Sequence, residues 1–512
     1  MHLRRTLLVI LCSTLFATEP NDATRRWWSH VQALANDSLE GRDTGSEGYR
    51  QAARYVVAQF EGAGLKPAGE NGFYQTVPLH VVRFRADQSD VELVRPRGVI
   101  RLHWLRQISV PARVGLPPAL EAPLVFAGSG APPEGLELQG KILVQLSVPR
   151  MGAAAGAGRG RGNAGDRAGI AATISVDNME GPEPPRWPVQ YAVAMTIRDA
   201  RAPAGRGAGN GGNAPLALRF NPDDAQLLFE GTGHTYKELK ELSDAQKPLP
   251  WFPLGATLRA HMKVESADLQ SDNIIAVMPG SDPELSKEYV VVSAHLDGYG
   301  IGEPWGDDKI YNGAFDDAAY VATLIDMAQR LHDAHAKPKR SLLFCVVTGE
   351  EKGLLGSKYF TAHPTVPVTQ MVADINLDQL RPLFPLRTLT TLALDESSLG
   401  DTVKSVATSM DIRIQPDPEP ERNLLRRSDH FSFMQIGVPA VGFVFGYEKG
   451  TPDEAAYREW YAKRYHTPLD DLNQPWVPEA AAKFNDFFNK LVETLANADR
   501  RPAWKAGSTF AK

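Results

Sequence analysis

The stretch Tyr289-Val-Val-Val-Ser-Ala-His295-Leu-Asp297 decides the fold. Its apolar residues form a continuous run of the length of a buried strand, and the run ends in a histidine and an aspartate. The pattern of a continuous apolar run recurs in Asn273–Met278, Leu342–Val347, Met371–Leu377 and Ala440–Phe445. Continuous apolar strands that alternate with helices are typical of a sheet covered on both faces, so the sequence predicts an α/β fold.

Helical periodicity predicts the layers that would cover this sheet. Apolar residues share one face of the segments Ala318–Ala334 and Pro478–Asn497. Two further amphipathic helices are predicted near the start of the chain, one around Trp27 and one that ends near Gly62. After them, Phe73–Val94 alternates in the manner of edge strands.

Composition excludes several classes of protein. The 512 residues are 43% hydrophobic and 23% charged, which is typical of a globular chain. The net charge of −6 argues against a generic nucleic-acid-binding protein, and no nucleic-acid partner is expected. Because Cys12 and Cys345 are the two cysteines, a disulfide scaffold and a cysteine-ligated zinc finger are excluded.

The N-terminus is typical of an export signal. Two arginines precede the apolar run Thr6–Ala17, which is too short to span a bilayer. We predict a signal peptide over residues 1–19 and a secreted or periplasmic location; the alternative is a buried N-terminal helix. Lipid anchoring at Cys12 is not expected, because Leu11 stands where a lipoprotein signal has a small residue. No later stretch predicts a membrane span.

The middle of the chain has a different character. Two segments, Gly152–Gly165 and Ala202–Pro215, have the glycine-rich, low-complexity composition of flexible loops. A phosphate-binding loop is disfavoured, since neither carries Lys-Ser or Lys-Thr after its glycines. Short strand-like runs surround them at Pro123–Ala127, Lys141–Leu146, Ile170–Ser175 and Ala192–Ile197. We therefore predict a small β-rich domain here.

Acidic residues and histidines recur where one open sheet would bring them together, because ligands of α/β sheets bind beyond the carboxyl ends of strands. Singly, each has a common structural explanation, such as a helix N-cap. Together, crowded carboxylates would repel each other and need a cation. Nitrogen and carboxylate ligands without cysteine suit zinc in a catalytic site. The residues are His295 and Asp297, Asp316 and Asp317, Glu350 and Glu351, Asp378, and His466.

These motifs resemble those of the di-zinc aminopeptidases related to bacterial leucyl aminopeptidases, aminopeptidase Y and glutamate carboxypeptidase II. Six motifs stand in family order between residues 293 and 468. They are Ser293-Ala-His-Leu-Asp-Gly298, Gly313-Ala-Phe-Asp-Asp-Ala318, Thr348-Gly-Glu-Glu-Lys-Gly-Leu-Leu-Gly-Ser357, Ile375-Asn-Leu-Asp378, Ser428-Asp-His430 and Tyr465-His-Thr-Pro468. The middle region resembles the protease-associated domain that many members carry.

The resemblance implies a ligand set for two zinc ions per chain. His295 and Asp378 would bind one ion, and Glu351 and His466 the other. Asp316 would bridge the two. Each ion then has three protein ligands and room for a shared water, as catalytic zinc sites require.

It also implies roles for three neighbouring acids. Glu350 would be the general base beside the water. Asp297 would orient His295 through the second imidazole nitrogen. The peptide bond between Asp316 and Asp317 would be cis, as in the family.

Several further residues remain open. Tyr465 and His430 are both candidates for stabilising the oxyanion. Asp429 is a candidate for a supporting contact, and Arg426 and Arg427 for binding a substrate carboxylate, although surface arginines are commonly only solvated.

The resemblance implies a three-layer αβα zinc-peptidase domain with a mixed central sheet, interrupted by an inserted β-rich protease-associated domain. The predicted boundaries are 20–116 for its first part, 117–254 for the insertion, 255–500 for its second part and 501–512 for a C-terminal tail.

The function that the resemblance implies is a secreted zinc aminopeptidase acting on peptides. A carboxypeptidase, a dipeptidase or a glutaminyl cyclase on the same scaffold is the alternative, and an inactive receptor-like binding protein is a more distant one. The oligomeric state is left open.

Overall fold

A computed structural model describes residues 20–147, 169–181, 184–198 and 216–511. The predicted signal peptide, Gly152–Gly165 and Ala202–Pro215 lie outside the described residues. In the described part of the chain, no helix has the length and apolar character needed to cross a bilayer.

Helices and strands are numbered along the chain. The helices are α1 (Asp22–Leu34), α2 (Glu47–Gly62), α3 (Gln226–Phe229), α4 (Tyr236–Asp244), α5 (Ala319–Asp333), α6 (Leu355–Ala362), α7 (Leu399–Thr408), α8 (His430–Gln435), α9 (Pro452–Lys463) and α10 (Pro478–Asn497). The strands are β1 (Lys66–Pro67), β2 (Tyr74–Phe84), β3 (Asp90–Arg95), β4 (Gly98–Leu102), β5 (Ile108–Ser109), β6 (Ala119–Phe126), β7 (Ile142–Leu146), β8 (Ala172–Val176), β9 (Val193–Ile197), β10 (Leu216–Phe220), β11 (Phe252–His261), β12 (Val264–Met278), β13 (Tyr289–His295), β14 (Gly300–Trp305), β15 (Asp308–Tyr311), β16 (Ser341–Val347), β17 (Met371–Leu377), β18 (Thr388–Leu392), β19 (Arg413–Gln415) and β20 (Ala440–Phe445).

The largest sheet is mixed. Its strand order is β19-β18-β20-β17-β13-β16-β12-β2-β9, and β1 pairs with β12. The centre is parallel, since β13 runs parallel to both β16 and β17, and β17 runs parallel to β20. The flanking strands β12 and β2 are antiparallel. All five apolar runs predicted as strands lie in this sheet.

Helices cover both faces of the sheet. Successive residues of a strand point to opposite faces, so each central strand contributes to a core on either side. In β16, Phe344 and Val346 pack into the core formed with α1, α2, α5 and α10. The intervening residues Leu343 and Cys345 pack into the core formed with α6 and α8. The predicted three-layer α/β fold with a mixed central sheet is confirmed.

A second sheet has a core of its own. Its strand order is β4-β3-β11-β6-β7-β8-β10-β5, and α3 and α4 pack against it. The sheet draws strands from 90–109 and 119–261, so it includes segments on both sides of the predicted insertion at 117–254. The predicted domain boundaries stay a prediction.

The interpretation of Phe73–Val94 as edge strands is wrong. β2 lies between β12 and β9 in the first sheet, and β3 lies between β4 and β11 in the second. An alternation of apolar and polar residues indicates that one face of a strand is buried. It does not indicate that the hydrogen-bonding edge of the strand is free. The neighbouring strands β9 and β11 lie more than a hundred residues downstream. No local sequence pattern predicts that they pair with β2 and β3.

Candidate metal centre

The predicted site residues that end or follow the parallel strands lie at one edge of the sheet. His295 is the last residue of β13 and lies in register with Val347, the last residue of β16. Glu350 and Glu351 follow in the loop after β16, and Asp378 follows β17 directly. Because these strands run in the same direction, the predicted residues come together as expected.

Asp316 reaches the same edge from a tight turn before α5. Gly313 opens the turn with a φ of +59°, and a Cβ there would lie 2.3 Å from the carbonyl oxygen of Asp316. The Asp470 carboxylate accepts hydrogen bonds from the backbone N–H groups of Phe315 (3.0 Å) and Asp316 (3.1 Å). The Asp316–Asp317 peptide bond is cis.

The five predicted ligands form two groups that share one residue. In the first, Nε2 of His295 lies 3.3 Å from Oδ1 of Asp316 and 3.9 Å from Oδ1 of Asp378. In the second, Nε2 of His466 lies 3.2 Å from Oδ2 of Asp316 and 3.4 Å from Oε2 of Glu351. The ligand atoms of each group lie within 4.8 Å of one another. Asp316 therefore turns one carboxylate oxygen toward each group.

The donor atoms fit a metal. Within the described residues, four buried ligand atoms have no hydrogen-bond partner: Nε2 of His295, Oδ2 of Asp316, Oε1 of Glu351 and Oδ1 of Asp378. Buried polar atoms are normally paired, and unpaired ones cost about 1–3 kcal/mol each. Two imidazoles and three carboxylates, without a thiolate, are a donor set that suits zinc.

The pKa shifts of the buried acids also favour a bound cation. Burial raises the pKa of Glu351 to about 7 and that of Glu350 well above its usual range. Burial also raises the pKa of Asp317 well above its usual range, with the charges of Asp378 and Asp316 adding to it. A cation bound among these acids would oppose both the desolvation and the mutual repulsion.

Asp297 connects the first group to Glu350. Its carboxylate accepts a hydrogen bond from the backbone N–H of Glu350 (3.1 Å) and another from the Thr44 hydroxyl (3.0 Å). Nδ1 of His295 lies 3.0 Å from the main-chain carbonyl oxygen of Asp297 and 3.9 Å from the nearest carboxylate oxygen. The direct contact with the imidazole is therefore made by the backbone of Asp297, whereas its side chain holds the loop that carries Glu350.

Sequence reasoning missed a buried arginine that ties the ligand loops together. Arg42 is fully buried, and its guanidinium donates to the carbonyl oxygens of Leu296 (2.9 Å), Asn312 (2.7 Å) and Gly313 (3.0 Å). These carbonyls flank the turns that present His295 and Asp316. Arg42 lies more than 250 residues before them, and a single arginine in a short 3₁₀ segment carries no pattern that would reveal the role.

A cavity of about 630 Å³ opens onto the centre. Both sheets contribute to its lining: β9 of the first sheet contributes Met195, and the second sheet contributes Ser109 of β5 and Arg219 of β10. Tyr465 lines the cavity and stacks on the ring of His466, with centroids 3.6 Å apart. Arg427 also lines it. The other candidate for the oxyanion, His430, is fully buried behind the wall, and burial lowers its pKa to about 4.

Two other open candidates lie away from the cavity. Asp429 is buried, and burial raises its pKa to about 7. The Arg426 guanidinium packs over the ring of Phe431, 5.2 Å from its centroid. Neither residue lines the cavity.

A family model and several known proteins are similar to parts of this chain. The family model described as Peptidase family M28 matches residues 273–492. A probable zinc metalloprotease from Pyrenophora tritici-repentis is 33% identical over 267 residues, which cover 45% of this chain and 58% of the relative. Carboxypeptidase Q from Xenopus laevis is 29% identical over 122 residues, which cover 23% of this chain and 24% of the relative. The chain spans about half the length of the leading curated relatives that it matches, 43% of one and 58% of another.

Solved structures share the fold over most of the chain. The aminopeptidase from Aneurinibacillus sp. strain AM-1 superimposes with a TM-score of 0.58 at 19% sequence identity, and the match covers 93% of this chain and 95% of that one. The likeness in fold extends beyond the segment that the family model matches. Residues 273–492, which match the model of Peptidase family M28, hold every residue predicted for the site.

Proposed function

We propose that this chain is a secreted zinc aminopeptidase that removes N-terminal residues from peptides, with two zinc ions per chain. One observation carries the proposal. Two groups of ligand atoms share Asp316, and Glu350 lines the cavity beside them. Such paired sites suit hydrolysis, because two zinc ions, when bound, polarise a carbonyl and make a water a better nucleophile at neutral pH.

Glu350 is the residue placed to move the proton. It is buried, and its pKa is raised by that burial, which favours a carboxylate able to accept a proton and give it up again. The hydrogen bond from its backbone N–H to Asp297 fixes its loop. We propose that Glu350 takes a proton from the attacking water and returns it to the leaving amine. Tyr465, which lines the cavity next to His466, is our candidate for donating a hydrogen bond to the oxyanion.

The charge of the site favours a substrate with a free N-terminus. Asp316, Glu350, Glu351 and Asp378 all line the cavity. With the ions bound, a free α-amine would be held by one of them and by the carboxylates beside it, which would orient the first peptide bond for attack. Among the cations of the lining, Arg427 is our candidate for binding a substrate carboxylate, as the carboxypeptidase alternative requires.

The test compares matched substrates. We expect free aminoacyl substrates to be cleaved at least about a hundredfold faster, in kcat/KM, than their N-acetylated forms, which corresponds to roughly 2.7 kcal/mol of transition-state stabilisation. Acetylation removes the amine charge and adds bulk beside the carboxylates. A chelator should abolish the activity and zinc should restore it.

Two outcomes would contradict the proposal. Equal cleavage of the free and acetylated substrates would rule out an aminopeptidase. Preference for an N-blocked peptide with a free C-terminus, lost in Arg427→Gln, would favour the carboxypeptidase. Export is tested separately, by N-terminal sequencing of the protein recovered outside the cytoplasm of an expressing bacterium.

A further inference from the structure

A tyrosine that the ligand motifs do not include touches the second ligand group. Tyr299 lies in the loop between β13 and β14, and its hydroxyl oxygen is 3.0 Å from Nδ1 of His466 and 3.4 Å from Nε2. The two rings lie with centroids 4.5 Å apart at an angle of 54°. Nε2 of the same imidazole faces the carboxylates of Asp316 and Glu351. The hydroxyl is therefore closest to Nδ1, the imidazole nitrogen that does not face the two carboxylates.

The Tyr299 ring is held by a buried cation. Lys352 directly follows the ligand Glu351, and its Nζ lies 4.8 Å from the ring centroid of Tyr299 and 5.1 Å from that of Tyr191. Its side chain is 4% exposed, and Nζ pairs with Asp43 at 3.2 Å. Cation–π contacts gain strength when they are desolvated, reaching about 2 kcal/mol or more. The Tyr299 ring therefore has a fixed position relative to Glu351.

His466 is also held through its backbone, by a residue of the segment that ends in β9. The side-chain amide of Gln190 donates a hydrogen bond to the His466 carbonyl oxygen at 3.0 Å. The φ of His466 is +56°, a left-handed conformation that non-glycine residues adopt rarely and only when the surroundings hold them there. Gln190 thus helps to fix the backbone from which the imidazole projects.

We propose that Tyr299 is a positioning residue for His466, an inference that rests on the proposed role of His466 as a zinc ligand. The hydroxyl lies beside both ring nitrogens and holds the imidazole in the orientation in which Nε2 faces the carboxylates of Asp316 and Glu351. Ligand histidines generally depend on such a partner for tautomer and orientation, and losing it costs about 10–100-fold in metal affinity.

The experiment titrates metal-free protein with zinc by calorimetry and with cobalt by visible absorption. In Tyr299→Phe, which keeps the ring and removes the hydroxyl, the dissociation constant of one of the two ions should rise about 10–100-fold, while that of the other stays unchanged. The cobalt spectrum of the weakened site should also change, because the imidazole is no longer fixed. Tyr311→Phe is the matched control: its buried hydroxyl donates to the Glu303 carbonyl and touches no ligand.

A double variant separates positioning from general damage to the fold. In a His466→Ala background, Tyr299→Phe should cause no further loss of zinc affinity, and a further loss would overturn the inference. Wild-type zinc affinities at both sites in Tyr299→Phe would overturn it too. If the wild-type protein binds a single zinc ion, the two-ion centre itself fails, and the inference fails with it.

Discussion

At the scale of single residues, adjacent side chains of the same type have different surroundings. Glu351 places a carboxylate oxygen 3.4 Å from Nε2 of His466, within the second ligand group. Glu350 belongs to neither group, although it lines the same cavity. The distinction follows from the loop after β16, which a hydrogen bond from the Glu350 N–H to Asp297 holds in place.

The two glutamates should therefore respond differently to the same substitution. Glu351→Gln should lose one equivalent of zinc, because a neutral amide is a poor ligand. Glu350→Gln should keep both equivalents and lose at least about a hundredfold in kcat, as expected when a general base is removed. Metal analysis and steady-state kinetics of the two variants check this. Loss of zinc from Glu350→Gln alone would reverse the assignment.

The sequence predicts residues at strand ends well and their supporting contacts poorly. His295 and Asp378 could be placed because parallel apolar strands must end at a common edge. His466 follows no strand, and its role as a ligand came from the resemblance. The partners Arg42 and Tyr299 were missed, because hydrogen bonds across more than a hundred residues of chain leave no periodic signal.

At the scale of elements, the turn before α5 decides where Asp316 lies. The turn runs from Ala314 to Ala318, and a left-handed Gly313 precedes it. Asp470 binds two of its backbone N–H groups. The position of the shared ligand therefore depends on backbone geometry as much as on its own side chain.

Two glycine substitutions test this dependence. Gly313→Ala should abolish zinc binding and activity, because the new Cβ would lie 2.3 Å from the Asp316 carbonyl oxygen and force the turn to move. Gly306→Ala is the matched control, since its φ is also positive, at +65°, but no atom lies within 4 Å of the added Cβ. The control should cost only about 1–2 kcal/mol of conformational energy and keep both zinc ions. Calorimetric zinc titration of both variants gives the comparison, and equal behaviour would show that the close contact is unimportant.

Helices and strands could be predicted where the segment itself has a helical period or a continuous apolar run. The predicted α10, Pro478–Asn497, has those bounds in the structure, and the five central strands lie where apolar runs place them. The pairing of strands was less predictable, because it depends on which strand, distant in sequence, forms hydrogen bonds with a given edge. β9 shows this, since it lies in the glycine-rich middle region yet pairs with β2 of the first sheet.

At the scale of the whole molecule, the two sheets share the cavity that opens onto the two ligand groups, with Ser109 and Arg219 of the second sheet in its lining. The second sheet's core is separate from the first. Even so, the segment that runs into β9 brings Gln190 to His466 and Tyr191 to Lys352. Composition and charge patterning cannot show such a junction, because its contacts involve single side chains from segments far apart in sequence.

The last prediction follows from the concentration of buried acid at one point of this molecule. Burial raises the pKa values of Asp317, Glu350 and Glu351, which lie beside one another, so their repulsion and desolvation oppose folding until a cation is bound. A ligand that binds only the folded state adds about 2.7 kcal/mol per site at a hundred times its dissociation constant. Chelation should therefore lower the melting temperature by on the order of five degrees, because two sites contribute about 5 kcal/mol and a chain of 512 residues shifts by roughly 1 °C per kcal/mol; zinc should restore it. Calorimetry of the wild type and of Asp316→Ala makes the comparison, because removing the shared ligand should flatten the response to zinc. A wild-type melting temperature that ignores both chelator and zinc would show that the acids are accommodated without a metal.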